Sequence, residues 1–76
     1  MSPELPTVTG RQAIGAFEKA GFEVVRKKGS HRVMKKQGHR HVLSIPVHGS
    51  QPLKRGVLRA LIKTAGLTVQ EFKDLL

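Results

Sequence analysis

The stretch of sequence that decides the fold is Arg26-Lys27-Lys28-Gly29-Ser30-His31-Arg32. Glycine adopts a positive φ at little steric cost, and Gly29 followed by Ser30 is therefore typical of a tight turn. Residues Phe22 to Lys27 have the composition of a β-strand, and His31 to Lys36 have that of a returning strand. The stretch therefore predicts a β-hairpin with basic residues gathered at its closed end.

The sequence after this hairpin predicts a third strand. Residues Gln37 to Arg40 include a glycine and are typical of a second turn. Residues His41 to Pro46 follow as a strand that the proline stops. Consecutive strands joined by short turns pair antiparallel, so the sequence predicts a three-stranded antiparallel sheet.

Helices are predicted before and after these three strands in the sequence. Thr9 is a good N-cap with Gln12 three residues on, which predicts a capping box and a first helix from about Gly10 to Ala20. Gly21 then suits the left-handed position that ends a helix. Apolar residues at helical spacing predict a second helix from about Leu53 or Lys54 to Ala65, ended by Gly66. A further capping box from Thr68 to Glu71 predicts a short last helix.

The element order is therefore α-β-β-β-α with a short C-terminal helix, an α+β fold. Each long helix has a single apolar stripe, so both should cover one face of the three-stranded sheet and leave the other face to solvent. Residues 1–8 contain two prolines and no periodicity, which predicts a poorly ordered tail. Residues 9–76 are then expected to form a single small domain.

Positive charge is concentrated in the middle of the chain. The 76 residues include fourteen Lys and Arg against five Asp and Glu, a net charge of +9. Eleven of the cations and none of the acids lie between residues 26 and 63. A block of one sign on a small domain is typical of a protein that binds a polyanion. We therefore favour nucleic acid as the partner, over a basic surface that only serves solubility; a membrane is disfavoured because no helix pairs cations with a broad aromatic-rich apolar face.

Several classes of protein are disfavoured by what the sequence lacks. It has no cysteine, which excludes disulfides and thiolate metal sites. Its four histidines lack the compact spacing and the acidic partners of a metal site, so neither a metal nor another cofactor is expected. No apolar run approaches the roughly 20 residues of a membrane span, and the first residues do not have the pattern of a signal peptide. A cytoplasmic protein is the expectation.

His31 is the candidate for chemistry in the basic hairpin. Histidine side chains titrate near neutral pH, so they suit proton transfer, although a strand histidine can equally be structural or donate a hydrogen bond to phosphate. Strand alternation leaves two orientations open. If Met34 faces the helices, His31 faces solvent together with Val33 and Lys35; the opposite orientation buries His31 and Val33.

Two further groups of residues are candidates outside the hairpin. Arg55, Arg59 and Lys63 fall on one line of the second helix, either as a solvated face or as contacts to an RNA backbone. His39 and His41 flank the second turn and are expected to be surface residues.

Blocks spread over most of the chain resemble the HicA toxin family. Their order and spacing are more specific than any one of them, and they extend from about residue 10 to residue 67. The blocks are Phe17 to Phe22, Arg26 to His31, Ile45 to His48, Leu53 to Leu58, and Ile62 to Leu67.

The resemblance implies a fold like the double-stranded-RNA-binding domain and a ribonuclease toxin that degrades mRNA. It also implies a HicB-like antitoxin that binds the toxin and masks its active site, and we expect the toxin alone to be a monomer. His31 matches the family's catalytic histidine, and His48 matches a position that the family often fills with histidine. The residues expected to bind RNA are Lys27, Lys28, Gly29, Ser30, Arg32, Lys35, His48, Arg55 and Arg59.

Cleavage of RNA through the 2′-hydroxyl needs proton transfer and charge stabilisation, which His31 and its neighbouring cations could supply without a metal. Two other classes of function remain open. One is a non-catalytic RNA-binding module of the double-stranded-RNA-binding-domain type. The other is an interaction protein whose basic surface binds an acidic partner.

Overall fold

The computed structural model describes residues 4–76, and within them it has the predicted element order. The strands form one antiparallel sheet in the order β1-β2-β3, which confirms the α+β class. The third strand begins two residues later than predicted. The elements are α1 (Gly10–Lys19), β1 (Glu23–Lys28), β2 (His31–Lys35), β3 (Leu43–Pro46), α2 (Arg55–Thr64) and α3 (Val69–Asp74).

Both predicted capping boxes are present. The Thr9 hydroxyl accepts a hydrogen bond from the backbone N–H of Gln12 at 3.2 Å, and the Gln12 side chain accepts one from the backbone N–H of Thr9 at 2.9 Å. Thr68 and Glu71 make the same reciprocal pair at the start of α3. These pairs satisfy backbone donors that the first turn of a helix leaves without a partner, which is why each helix begins where it does.

The helices cover one face of the sheet, as predicted. Met34, Leu43 and Ile45 on that face are fully buried, and α1 and α2 both contact β3. Phe17 of α1 lies at the centre of the core. Its ring contacts that of Phe72 in α3, with ring centroids 5.1 Å apart. The last helix is therefore part of the core rather than an appendage.

The predicted tail over residues 1–8 is wrong at residues 4–8, and residues 1–3 lie outside the described residues. Leu5 and Val8 are buried in the core with only 5% and 4% of their surface exposed. The Val8 carbonyl also accepts a hydrogen bond from the backbone N–H of Leu53 at 2.8 Å. Two apolar side chains separated by one proline and one threonine show no periodicity, so the local sequence pattern could not reveal that they are buried in the core.

The beginning of α1 lies directly against the end of the sheet. A Cβ atom at Gly10 would overlap the carbonyl oxygen of Pro46, so only glycine fits there without displacing one of the two backbones. Thr9 also forms an isolated antiparallel bridge with Pro52. These contacts fix the end of β3 relative to the helical layer.

None of the helices in residues 4–76 is long and apolar enough to cross a membrane.

Candidate nucleic-acid interface

The structure has the first of the two orientations of β2. Met34 is fully buried against the helices, whereas His31 and Lys35 are exposed and Val33 is half-buried. Cross-strand partners lie on the same face of a sheet. The partner of Val33 is Ser44, which is also exposed. We call this solvated side, opposite to the helices, the open face.

A β-bulge in β1 decides which cations share the open face with His31. Val24 pairs with Met34 and Arg26 with Val33, so Val25 is the extra residue between them, and 49% of its surface is exposed. Such a bulge puts two residues of one strand opposite one residue of the other. Beyond it, Arg26 falls on the open face with Val33.

The same bulge separates two neighbouring lysines. Lys28 pairs with His31 on the open face, whereas Lys27 pairs with Arg32 on the side of the helices. Strict alternation from Val24 without a bulge would have reversed these two assignments. Of the two lysines expected to bind RNA here, Lys28 therefore shares a face with His31 and Lys27 does not.

The pairing arranges the open face into rows that run across the strands. The first row holds Lys28, His31 and Pro46, at the closed end of the β1–β2 hairpin. The second row holds Arg26, Val33 and Ser44, and the third row holds Glu23 and Lys35. Successive rows are two residues apart along β2, which is roughly 7 Å.

A shallow open depression of about 530 Å³ covers part of the first row and part of the second. Four of the residues that line it were predicted for the site, and the other two lie further along β2 and β3. The residues that line it are Lys28, Gly29, Ser30, His31, Val33 and Ser44. Its floor is half-buried Val33, and its rim carries an amine, an imidazole and hydroxyl groups, which are groups that bind phosphate.

The turn beside His31 is fixed by the backbone conformation of Gly29 and by three hydrogen bonds. Gly29 has φ of 58°, in the left-handed region that favours glycine. The Arg32 guanidinium donates hydrogen bonds to the carbonyls of Gly29 at 3.2 Å and His31 at 3.4 Å. The backbone N–H of Val47 donates to the carbonyl of Ser30 at 2.7 Å. Arg32 thus supports the turn from the helix side and does not line the depression.

His48 lies in a different concavity from His31. It lines a groove of about 300 Å³ with Pro46, Gln51, Pro52, Leu53, Lys54 and Val57, where the chain enters α2. Pro46, the partner of His31 in the first row, lines this groove and not the depression. The structure therefore places the two histidines in adjacent sites, with Pro46 between them.

The line of cations on α2 is separate from the open face. Arg55, Arg59 and Lys63 are all exposed, while Leu58 and Ile62 on the other side of the helix are buried in the core. Because α2 packs on the opposite face of the sheet, this line and the depression belong to different surfaces.

His39 is not a simple surface residue, which corrects the prediction. It is half-buried, and its Nε2 donates a hydrogen bond to the carbonyl of Thr64, in the last turn of α2, at 2.7 Å. Its ring lies edge-on to Phe22, with centroids 5.3 Å apart. His39 thus ties the turn between β2 and β3 to α2. His41 is exposed, as predicted.

Sequence reasoning missed two polar residues of the open face, Arg26 and Ser44. Arg26 was visible as a cation of the hairpin, but its face depends on the bulge. Ser44 was visible only as a polar residue in an apolar strand. Within residues 4–76, no three histidine or acidic side chains are close enough together to hold a metal ion.

A protein-family model matches most of the chain. The family described as the HicA toxin of bacterial toxin-antitoxin matches residues 10–67, which is 58 of the 76 residues. The matched segment includes α1, the whole sheet, the His48 groove and α2, and it ends before α3. No curated protein matches the chain. The chain therefore belongs to the HicA family and is a toxin of a toxin–antitoxin system.

Proposed function

We propose that this toxin is a metal-independent endoribonuclease that cleaves mRNA, with His31 as the general acid or base, and that it thereby inhibits translation and growth. The observation that carries the proposal is the first row of the open face. There, the exposed imidazole of His31 lies across the hairpin from the Lys28 ammonium, in a depression that is open to a large substrate.

The chemistry requires two proton transfers, one from a 2′-hydroxyl and one to a 5′-oxygen, and the exchange of one bond at phosphorus. The imidazole of His31 takes the proton of a ribose 2′-hydroxyl, and the 2′-oxygen attacks the adjacent phosphorus. The bond from phosphorus to the 5′-oxygen breaks, that oxygen takes up a proton from solvent water, and the His31 imidazolium returns its proton to solvent. The products are a 2′,3′-cyclic phosphate and a 5′-hydroxyl. DNA lacks the attacking group, so the mechanism is specific for RNA.

Lys28 supplies the charge that this reaction needs. Negative charge builds on the non-bridging phosphate oxygens as the bond forms, and a cation placed beside them stabilises the transition state. Lys28 is the cross-strand partner of His31 on the same face. The backbone around Gly29 and Ser30, which lines the same depression, can complete the phosphate contacts.

The family also supports a partner that controls this activity. A HicB-like antitoxin that covers the open face would exclude RNA from His31 and neutralise the basic hairpin. We propose that the toxin without its antitoxin is a monomer and acts on mRNA in the cytoplasm.

A cleavage assay on RNA tests the proposal with a matched pair of histidine variants. His31→Ala removes the imidazole from the depression, whereas His41→Ala removes an exposed imidazole outside it. The wild type and His41→Ala should cut RNA in the presence of EDTA, and His31→Ala should lose about a hundredfold or more in rate. A 2′-deoxy nucleotide at the cut position should abolish cleavage there.

Two results would count against this function. Equal cleavage by His31→Ala and the wild type would remove His31 from the chemistry. If the wild type and His31→Ala bind RNA equally and neither cuts it, the protein is a non-catalytic RNA-binding module. Growth arrest on expression of the wild type, relieved in His31→Ala, would support the toxin in cells.

A further inference from the structure

We propose that Arg26 and Ser44 form a second phosphate subsite, which holds the phosphate next to the one that is cleaved. The inference rests on the proposed function, because it describes how the RNA substrate lies across the same site. It assigns a role to two residues of the second row that are not among the residues expected from the sequence to bind RNA.

The geometry of the second row carries the proposal. Arg26 and Ser44 lie on either side of Val33, on the same face as His31, and both side chains are exposed. The half-buried valine between them gives a low floor with a donor on each side. The row lies two residues, or roughly 7 Å, from the row of Lys28 and His31. That step is comparable to the separation of consecutive phosphates along a nucleic-acid strand.

The chemistry of the two side chains fits a phosphate. A guanidinium presents a planar fork of donors that matches two phosphate oxygens, and a hydroxyl donates a single hydrogen bond. Contacts of this kind fix the register of a nucleic acid without reading its bases. A strand held at two consecutive phosphates presents the scissile bond to His31 in one orientation, which raises the rate through positioning.

The third row limits the length of this track. Lys35 is exposed there, but its cross-strand partner is Glu23, the one acid on the open face among the described residues. A carboxylate beside the lysine offsets its charge and repels a phosphate. The open face therefore offers two cationic steps, at the first and second rows, and the strand runs along β2 from the closed end of the hairpin.

The experiment measures whether Arg26 senses the charge of one particular phosphate. The probes are short RNA oligonucleotides with a 2′-deoxy nucleotide at the cut position, which prevents cleavage. In one probe a neutral methylphosphonate replaces the phosphate immediately 5′ of the scissile phosphate, and in another it replaces the phosphate immediately 3′ of the scissile phosphate. Affinities of the wild type, Arg26→Gln and Ser44→Ala are compared for each probe.

We expect one of the two methylphosphonates to weaken binding by the wild type about tenfold, the loss expected for a charge-assisted contact. Arg26→Gln should bind the unmodified probe about tenfold more weakly and should then be indifferent to that same methylphosphonate. Ser44→Ala should lose about threefold and show part of the same insensitivity. The matched control is Arg11→Gln, which removes an exposed arginine of α1 and should keep the full response.

The proposal is overturned if neither methylphosphonate weakens binding by the wild type, if Arg26→Gln still loses about tenfold with the methylphosphonate that weakens the wild type, or if Arg11→Gln becomes as insensitive as Arg26→Gln. Cleavable RNA, run in parallel, separates this outcome from a failure of the ribonuclease. If the wild type cleaves RNA but Arg26→Gln responds to the methylphosphonates as the wild type does, the ribonuclease proposal stands and the subsite is contradicted. If Arg26→Gln is insensitive to the methylphosphonate but the wild type does not cleave RNA, the subsite stands and the ribonuclease proposal is contradicted.

Discussion

Lys28 and His31 are cross-strand partners at the closed end of the β1–β2 hairpin, and both side chains are exposed on the face of the sheet away from the helices. Lys27, one residue earlier, pairs with Arg32 on the other face. Two adjacent lysines of identical charge therefore differ in their position relative to the imidazole, and this difference can be tested directly.

Replacing Lys28 should impair RNA cleavage much more than replacing Lys27. Lys28→Gln removes the cation beside the phosphate and should lower kcat/KM about tenfold or more. Lys27→Gln removes the same charge from the opposite face and should lower it by only about threefold, through weaker long-range attraction. Initial rates at low substrate concentration provide the measurement. Equal losses in the two variants would show that total charge, and not the face assigned by the bulge, governs the reaction.

Loss of the His39 side chain should destabilise the fold. His39→Ala removes the hydrogen bond to the Thr64 carbonyl and the edge-on contact with Phe22, and together these should cost about 1–2 kcal/mol. His41→Ala, at an exposed position in the same loop, should change the free energy of unfolding by less than about 0.5 kcal/mol. Urea unfolding of both variants gives the comparison, and equal stabilities would contradict a structural role for His39.

Two glycines of α1 should respond in opposite directions to the same substitution. Gly10→Ala forces a methyl group against the Pro46 carbonyl and should destabilise the protein by about 1–3 kcal/mol. Gly15→Ala meets nothing within 4 Å and should stabilise it by about 0.5–1 kcal/mol, because alanine favours the helix. Thermal unfolding of the two variants reports the signs. A stabilising Gly10→Ala would mean that α1 and the end of β3 are not in close contact.

Removing the aromatic anchor of α3 should unfold much of the protein. Phe72 is fully buried against Phe17, and Phe72→Ala should cost about 3–5 kcal/mol. A domain of this length has a total stability of only about 4–11 kcal/mol. Leu76→Ala is the control, since half of that side chain is already exposed, and it should be nearly neutral. Circular dichroism and urea unfolding distinguish the two variants; a well-folded Phe72→Ala would make α3 dispensable.

The parts of the fold that follow from local rules could be predicted from the sequence. Thr9 and Thr68 begin helices because their side chains cap the backbone three residues on, and Gly29 makes a turn because it accepts a positive φ. These interactions involve neighbours in the chain. The alternation of β2 narrowed His31 to two orientations, and burial of Met34 against the helices selects the exposed one.

The features that escaped prediction depend on residues distant in sequence. The bulge at Val25 exists only relative to the register of β2, and it decides the face of every cation in β1 beyond it. Leu5 and His39 are fixed by partners in the core and in α2, which no local pattern identifies. The composition of the hairpin indicated a basic site, but which of its cations lie on each face of the sheet depends on the tertiary structure.

The bulge at Val25 has a consequence for how other proteins can approach this sheet. β1 is an outer strand, and a flat outer strand is a template on which another chain can add a strand of its own. The bulge interrupts the ladder in the middle of β1, and three successive cations occupy the rest of the strand. Both features oppose edge-to-edge pairing and the aggregation that follows from it. We therefore expect a protein that covers His31 from the β1 side to approach over the open face of the sheet, where it would compete with the RNA of the proposed function.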